Sequence, residues 1–374
     1  MPHRFKDNHY PRAITFFFRS KGLMALIYTL LFFYCMVVIC RNKNWISLSI
    51  HYFKPILAWK LFPNLQTDNY SLPSEFLTEL RNVVNHLKSY ETHQIMLTIF
   101  NRKYFQLASN LYCSTTFIPD FPLQFHYFVA TDELSYNRFL NFTNQVLFLD
   151  VSDKIRRLEH FDKIKLIIQY QLLIWNFESI LLDADTLLFQ NPQKLFDNNA
   201  DIEVSADTCC DYVFDNRFNY QDFNIGFLKA TPNEVTKKVY HDWIQTSFKN
   251  KSNNDQKVLQ DLIFPYRKQM KGSNQSYSYP GLKRNLEIHF FHPLDFPNAG
   301  MLFLHNRFET ERQARRLGFT KPFGIHLAWI KYKHKENILT ANNFWFFNTT
   351  TFKCLMKRPR GAYFSNWNSN TTYV

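Results

Sequence analysis

Two aspartates directly after an apolar run are the residues of this sequence with the clearest capacity for chemistry. Asp183 and Asp185 follow the run of residues 179–182 and have one residue between them. On a strand that is turning, two carboxylates at this spacing can point to the same side. Mg²⁺ and Mn²⁺ prefer such hard oxygen ligands and are commonly held by one or two carboxylates plus phosphate oxygens. The pair therefore predicts a divalent metal site, and solvated acids at a strand end are the alternative.

The letters of Asp183-Ala184-Asp185-Thr186 also fit haloacid-dehalogenase-type phosphatases, in which the first aspartate is a nucleophile. Those enzymes usually carry this motif on the first strand and supply a Gly-Asp acidic motif later. Here three predicted strands precede the pair, and the sequence contains no Gly-Asp dipeptide. A phosphatase is therefore the less favoured interpretation.

Alternating apolar runs predict the elements that position these acids. We expect strands at residues 93–100, 125–130, 146–149 and 179–182, and helices at 105–117, 164–175 and 232–248. This alternation favours an α/β fold with a mostly parallel sheet and helices on both faces. Ligands of such sheets bind at the carboxyl ends of the strands, where Asp132, Asp150 and Asp183 fall.

The first 43 residues predict a membrane anchor. Residues 22–40 are nineteen residues without a charge, enough to cross a bilayer core of about 30 Å. Five Lys or Arg side chains precede this run and two follow it closely, so residues 1–21 should be cytoplasmic. We expect a signal-anchor at 22–40, a lumenal stem at 41–91 and a single-pass type II protein of the Golgi membrane.

Residues beyond the anchor carry further signs of a lumenal body. Six Asn-x-Ser/Thr sequons lie there, at Asn69, Asn141, Asn250, Asn274, Asn348 and Asn370. Of the four cysteines in this part, Cys209 and Cys210 are adjacent and seldom pair with each other. Cys113 and Cys354 are candidate partners for them, but the sequence does not fix the connectivity.

Composition excludes two broad classes. A chain with 46% hydrophobic and 20% charged residues is not intrinsically disordered. The formal net charge is +13, and nearly half of it lies in residues 1–43. The remainder shows no basic stripe or aromatic-basic motif, so we expect no nucleic-acid partner.

Several short motifs lie before and after the acidic pair, and they follow one another in a characteristic order along the chain. They are Phe100-Asn101, Lys165, Asp183-Ala184-Asp185, Gln190-Asn191-Pro192, the acidic segment Asp201–Asp207, Asn224-Ile225-Gly226-Phe227, Asn254-Asp255-Gln256, Phe296-Pro297-Asn298-Ala299-Gly300 and His326-Leu327-Ala328-Trp329. In this order and spacing, residues 92–335 resemble the nucleotide-diphospho-sugar transferase family of retaining GT-A glycosyltransferases. The chain departs from that pattern at Asn176, where glycine is frequent, at Ala328, where asparagine is frequent, and at residues 330–333, where a glycine usually follows the tryptophan.

The resemblance implies a GT-A domain at residues 92–345, followed by a C-terminal tail at 346–374. It implies transfer of a sugar from a nucleotide-sugar donor to a glycan or glycoprotein acceptor, without a conventional nucleophile. A catalytically silent lumenal glycan-binding protein of the same fold is the alternative. The donor sugar, acceptor, linkage and oligomeric state are not fixed by the sequence.

The resemblance also assigns roles to single residues. Asp183, Asp185 and His326 would ligate the metal, and the imidazole favours Mn²⁺ over Mg²⁺. Asp255 and Gln256 would join the two aspartates in catalysis, or would simply start a helix. Contacts to the donor are implied for Asn101, Asp132, Lys165, Asp207, Asn224 and Gly226. The basic stretch at 331–335 could contact phosphates, but a solvated surface is the favoured interpretation.

Overall fold

The computed structural model describes residues 72–151, 161–197, 199–207, 223–249, 254–271, 273–305, 316, 318 and 321–356. The predicted cytoplasmic tail and signal-anchor, most of the predicted stem, Cys209 and Cys210, and the sequons at Asn69, Asn250 and Asn370 lie outside these residues. None of the helices in the described part of the chain combines the length and the hydropathy that a bilayer span requires.

A nine-stranded sheet forms the centre of the described unit, in the order β3-β2-β1-β4-β7-β6-β10-β9-β8. Seven strands run in one direction, whereas β7 and β9 are antiparallel to their neighbours. This confirms the predicted α/β class with a mostly parallel sheet. The strands are β1 Gln94–Phe100, β2 His126–Ala130, β3 Val146–Phe148, β4 Glu178–Leu182, β5 Thr186–Leu188, β6 Ile202–Ala206, β7 Phe223–Ala230, β8 Arg267–Lys271, β9 Asn274–Tyr277, β10 Leu286–Phe291, β11 Gly324–His326, β12 Phe347–Asn348 and β13 Lys353–Cys354.

Several helices pack an apolar face against this sheet. The helices of the described part are α1 Ser74–Lys88, α2 Phe105–Thr115, α3 Glu133–Phe139, α4 Phe161–Ile174, α5 Glu234–Lys249, α6 Asp255–Ile263 and α7 Tyr332–Ala341. Helix α1 lies within the stem predicted at residues 41–91, yet it packs against β1 and β3. Its buried side chains are Phe76, Leu80, Val84 and Leu87.

The turn before β4 explains one departure from the family pattern. Asn176 has a φ of 56°, in the left-handed region that glycine enters without steric cost. Asparagine is among the residues that tolerate this region best. The chain can therefore form the same turn without glycine at this position.

The segment after α7 is tied to α2. The Asn110 side chain donates to Phe344 O at 3.0 Å and accepts from Phe346 N at 2.5 Å. The neighbouring cysteines, Cys113 and Cys354, form a disulfide with each other. This bond settles the connectivity that the sequence left open for these two cysteines, and neither of them pairs with Cys209 or Cys210. Contacts between α2 and a segment more than 200 residues later decide the pairing, and sequence spacing does not reveal them.

Candidate functional site

Asp183, Asp185 and His326 converge at the carboxyl end of β4. The chain turns after Leu182 and enters β5, which pairs antiparallel with β11 so that His326 lies opposite Thr186. His326 Nε2 is 3.3 Å from Asp185 Oδ1 and 3.7 Å from Asp183 Oδ2. One ligand atom from each of the three residues lies within 4.8 Å of the others. Two carboxylate oxygens and one imidazole nitrogen in this arrangement fit Mn²⁺ or Mg²⁺.

Asn224 and Gly226, both on β7, orient the imidazole. Asn224 Oδ1 accepts a hydrogen bond from Gly226 N at 3.0 Å, which identifies the oxygen end of the amide. His326 Nδ1 therefore donates to this oxygen at 2.6 Å, and Nε2 faces the two acids. Histidines that ligate metals commonly donate their second ring N–H to a protein oxygen in this way.

Gly226 leaves the space that the imidazole fills. A Cβ at this position would lie 2.2 Å from His326 Cε1, far inside van der Waals contact. Glycine is therefore required here by the close approach of the histidine ring. The group that approaches Gly226 closely is thus a protein side chain.

Lys335 adds a buried positive charge to the cluster. Its ammonium group donates to Asp185 Oδ2, and the residue is only 7% exposed. Burial raises the pKa of Asp185, but His326 and Lys335 lower it by more, so the carboxyl pKa lies well below its ordinary value. Burial lowers the pKa of His326, but the two aspartates raise it further, so the net shift is upward. The solvated interpretation of the 331–335 stretch is therefore wrong for Lys335.

Lys165 connects the acidic pair to α6. Its Nζ lies 3.4 Å from Asp183 Oδ1 and 3.3 Å from Asp255 Oδ2. Asn254 caps α6, because its side chain accepts from Lys257 N at 2.9 Å. The capping role thus belongs to Asn254. The Asp255 carboxylate forms an ion pair with Lys165, so Asp255 does more than begin the helix.

Asp207, at the end of β6, is a second centre of polar contacts. Its carboxylate accepts hydrogen bonds from four side chains, of which one is on β7, one is on α6 and two are in loops. The donors are Asn224 Nδ2 at 3.4 Å, Gln256 Nε2 at 3.2 Å, Asn298 Nδ2 at 3.1 Å and Trp329 Nε1 at 3.0 Å. This network joins the predicted residues Asp207, Asn224 and Gln256 to the candidate metal ligand His326 through Asn224.

A cleft of about 320 Å³ opens beside the acidic pair. Asn101, Lys103, Tyr104, Lys165 and the two aspartates are among the residues that line it. The Asn101 side chain accepts from Lys103 N at 3.0 Å and so fixes the turn after β1.

The Asp132 side chain accepts hydrogen bonds from the backbone of two neighbouring segments. Its two oxygens accept from Ser135 N at 3.0 Å and Arg102 N at 2.6 Å. It therefore caps α3 and holds the loop after β1, and it is not among the residues that line the cleft.

Of the site residues that were not predicted, two have an unusual placement. Lys335 is one, and its only signal in the sequence is its place in a basic stretch. Trp329 is the other: its φ is 69° and it is 64% exposed, although tryptophan rarely adopts this backbone conformation. The sequence gives one signal of this unusual backbone, namely that the family pattern usually has a glycine soon after the tryptophan.

A family model described as nucleotide-diphospho-sugar transferase matches residues 126–339, more than half of the chain. No curated protein sequence matches.

Similar solved structures include the bifunctional glycosyltransferase WbbM in its apo form, with 14% identity and a TM-score of 0.42 over 66% of this chain and 49% of that one. This chain thus spans about half the length of WbbM. Mouse xyloside xylosyltransferase 1, apo form, has 14% identity and a TM-score of 0.40 over 63% of this chain and 98% of that one. The glycosyltransferase GlyE of Streptococcus pneumoniae has 11% identity and a TM-score of 0.38 over 69% of this chain and 62% of that one.

Proposed function

This chain belongs to the nucleotide-diphospho-sugar transferase family, and on that premise we propose a metal-dependent glycosyltransferase of the secretory pathway. It would transfer a sugar from a nucleotide-sugar donor to a glycan or glycoprotein, with retention of the anomeric configuration. The observation that carries the proposal is the convergence of Asp183, Asp185 and His326 beside the cleft. Family membership also removes the phosphatase interpretation.

Asp185 and His326 are the residues best placed to hold the cation. Both are buried, and Asn224 keeps the imidazole Nε2 turned toward the carboxylates. Asp183 is more exposed and would either complete the ligand set or face the ribose or sugar of the donor. A bound Mn²⁺ or Mg²⁺ would act as a Lewis acid that stabilises the negative charge of the departing nucleoside diphosphate.

Lys165 places a further positive charge on the cleft wall. Because Asp183 and Asp255 both hold its ammonium group, the lysine is oriented before the donor binds. We expect it to stabilise the bound donor together with the turn at Asn101, which also lines the cleft.

The network around Asp207 would form the sugar side of the site. Gln256, Asn298 and Trp329 hold its carboxylate in place, and Gln256 also accepts from Ile225 N at 3.4 Å. We propose that Asp207 and Gln256 contact the transferred sugar or the acceptor. Asp132 would act indirectly, by holding the loop that carries Asn101.

A screen of nucleotide sugars tests this function. The purified protein should hydrolyse at least one nucleotide sugar slowly without an acceptor. EDTA should abolish this hydrolysis, and Mn²⁺ added in excess should restore it, because the cation is needed to stabilise the leaving diphosphate.

Two outcomes of the screen would contradict the proposal. Undiminished hydrolysis in EDTA would rule out metal dependence. Binding of glycans with no binding of any nucleoside diphosphate would favour the silent glycan-binding alternative.

We further propose that residues 22–40 anchor the protein in the Golgi membrane and that the catalytic domain at 92–345 is lumenal. The Cys113–Cys354 disulfide supports an oxidising compartment. The sequon residues Asn141 and Asn274 are exposed, as glycosylation requires. Helix α1 and the β12–β13 pair would then extend the catalytic domain beyond its predicted ends.

Protease treatment of sealed microsomes tests this topology. The lumenal orientation predicts that nearly the whole chain is protected and becomes sensitive only when detergent opens the vesicles. Digestion of the 92–345 region in intact vesicles would contradict it.

A further inference from the structure

Lys335 forms a hydrogen bond with a carboxylate oxygen of Asp185 that would otherwise be available to the metal. Its ammonium group is bonded to Asp185 Oδ2, while the other oxygen, Oδ1, faces His326 Nε2 at 3.3 Å. Lys335 therefore engages one carboxylate oxygen of the best-placed ligand, and only the other oxygen is turned toward the imidazole. The side chains of Asp185 and Lys335 are each 9% exposed, so water screens their interaction little.

The charges around the site are nearly balanced without an added ion. Three carboxylates, of Asp183, Asp185 and Asp255, face two ammonium groups, of Lys165 and Lys335. A divalent cation that entered this cluster would lie close to Lys335, and like charges repel strongly at such distances in a buried site. The metal and the lysine therefore exclude each other at Asp185 Oδ2.

We propose that Lys335 is a built-in competitor of the catalytic cation. In the metal-free enzyme it holds the Asp185 carboxylate in the ligating orientation, and it must leave Oδ2 when the ion binds. Lys335 is thus a positioning residue that acts through Asp185 and sets the affinity for the metal. This inference rests on the metal dependence proposed above.

The start of α7 is held in place by contacts that do not involve Lys335. Tyr332 lies one turn earlier on α7, and its hydroxyl donates a hydrogen bond to Lys103 O. Its ring packs against that of Tyr104, with 5.2 Å between the ring centroids. These contacts fix the start of α7 to the loop after β1. The flexible four-carbon stem of the lysine can change rotamer while the helix stays in place.

Mn²⁺ titration of the purified full-length protein, followed by electron paramagnetic resonance of the free ion and without nucleotide, tests the proposal. Lys335→Met should bind Mn²⁺ about ten-fold more tightly than the wild type, or more, because the competing charge is gone. Lys335→Arg keeps the charge and should bind as weakly as the wild type. Lys331→Met removes the same charge from an exposed position just before α7 and should leave the affinity unchanged.

Lys335→Gln serves as a second neutral variant that keeps a hydrogen-bond donor for Asp185, in case the methionine variant does not fold. Wild-type Mn²⁺ binding together with unchanged or weaker binding by the folded neutral variants would overturn this inference alone. Failure of both the wild type and the neutral variants to bind Mn²⁺ would overturn the metal site, and the competition with it.

Discussion

Replacing Asp185 by asparagine should lower the rate of sugar transfer by about 10²–10³-fold or more, because the variant loses the charged oxygens that would hold the proposed cation. Asparagine is the sharper substitution, since alanine would leave the buried Lys335 ammonium without its partner and would destabilise the fold as well. The measurements are the hydrolysis rate of the nucleotide sugar, the Mn²⁺ affinity and the melting temperature.

Asp261→Asn is the matched control for this substitution. It removes the same charge from a side chain of α6 that is 63% exposed and pairs only with Lys257 among the ion pairs described. The control should retain full activity. An undiminished rate in folded Asp185→Asn would contradict the assigned role of Asp185.

Gly226→Ala should have the second largest effect, a loss of about 10- to 100-fold in Mn²⁺ affinity and a comparable loss of activity. The added methyl group would lie 2.2 Å from His326 Cε1, so the imidazole must leave its place beside the aspartates. Replacing glycine by alanine within a strand is otherwise favourable for the backbone. The loss would therefore come from the displaced histidine.

A double-mutant cycle with His326→Ala separates this cause from a general disturbance of β7. If the methyl group acts only through the imidazole, the double variant should bind Mn²⁺ no worse than His326→Ala alone. Additive losses would show that Gly226 has a role independent of His326.

The local parts of the fold could be predicted because single segments encode them. Apolar runs located β1, β2, β3 and β4 to within one residue at each end, since buried parallel strands need continuous apolar side chains. The acidic pair was found for the same reason, because it directly follows such a run.

Contacts between distant segments could not be predicted in the same way. Lys335 and Asp185 are 150 residues apart, and only the pairing of β5 with β11 and the position of α7 bring them together. The Cys113–Cys354 bond depends likewise on the packing of the C-terminal segment against α2. Burial distinguishes Lys335 from the exposed Lys331, although both belong to one basic stretch.

The residues that were predicted from the family resemblance differ in whether they lie directly at the candidate metal site. Asp183, Asp185 and His326 came together as implied. Asp132 instead caps α3, because a carboxylate that follows a strand and precedes a helix is also the preferred helix cap. Sequence letters alone do not distinguish these two uses.

A crystal structure of the protein with Mn²⁺ and UDP tests the central claim most directly. The account predicts an anomalous peak about 2 Å from Asp185 and from His326 Nε2, with Lys335 moved away from Asp185 and the diphosphate in the cleft lined by Lys165. A nucleotide bound with no ion beside these side chains, or an ion held elsewhere, would contradict it.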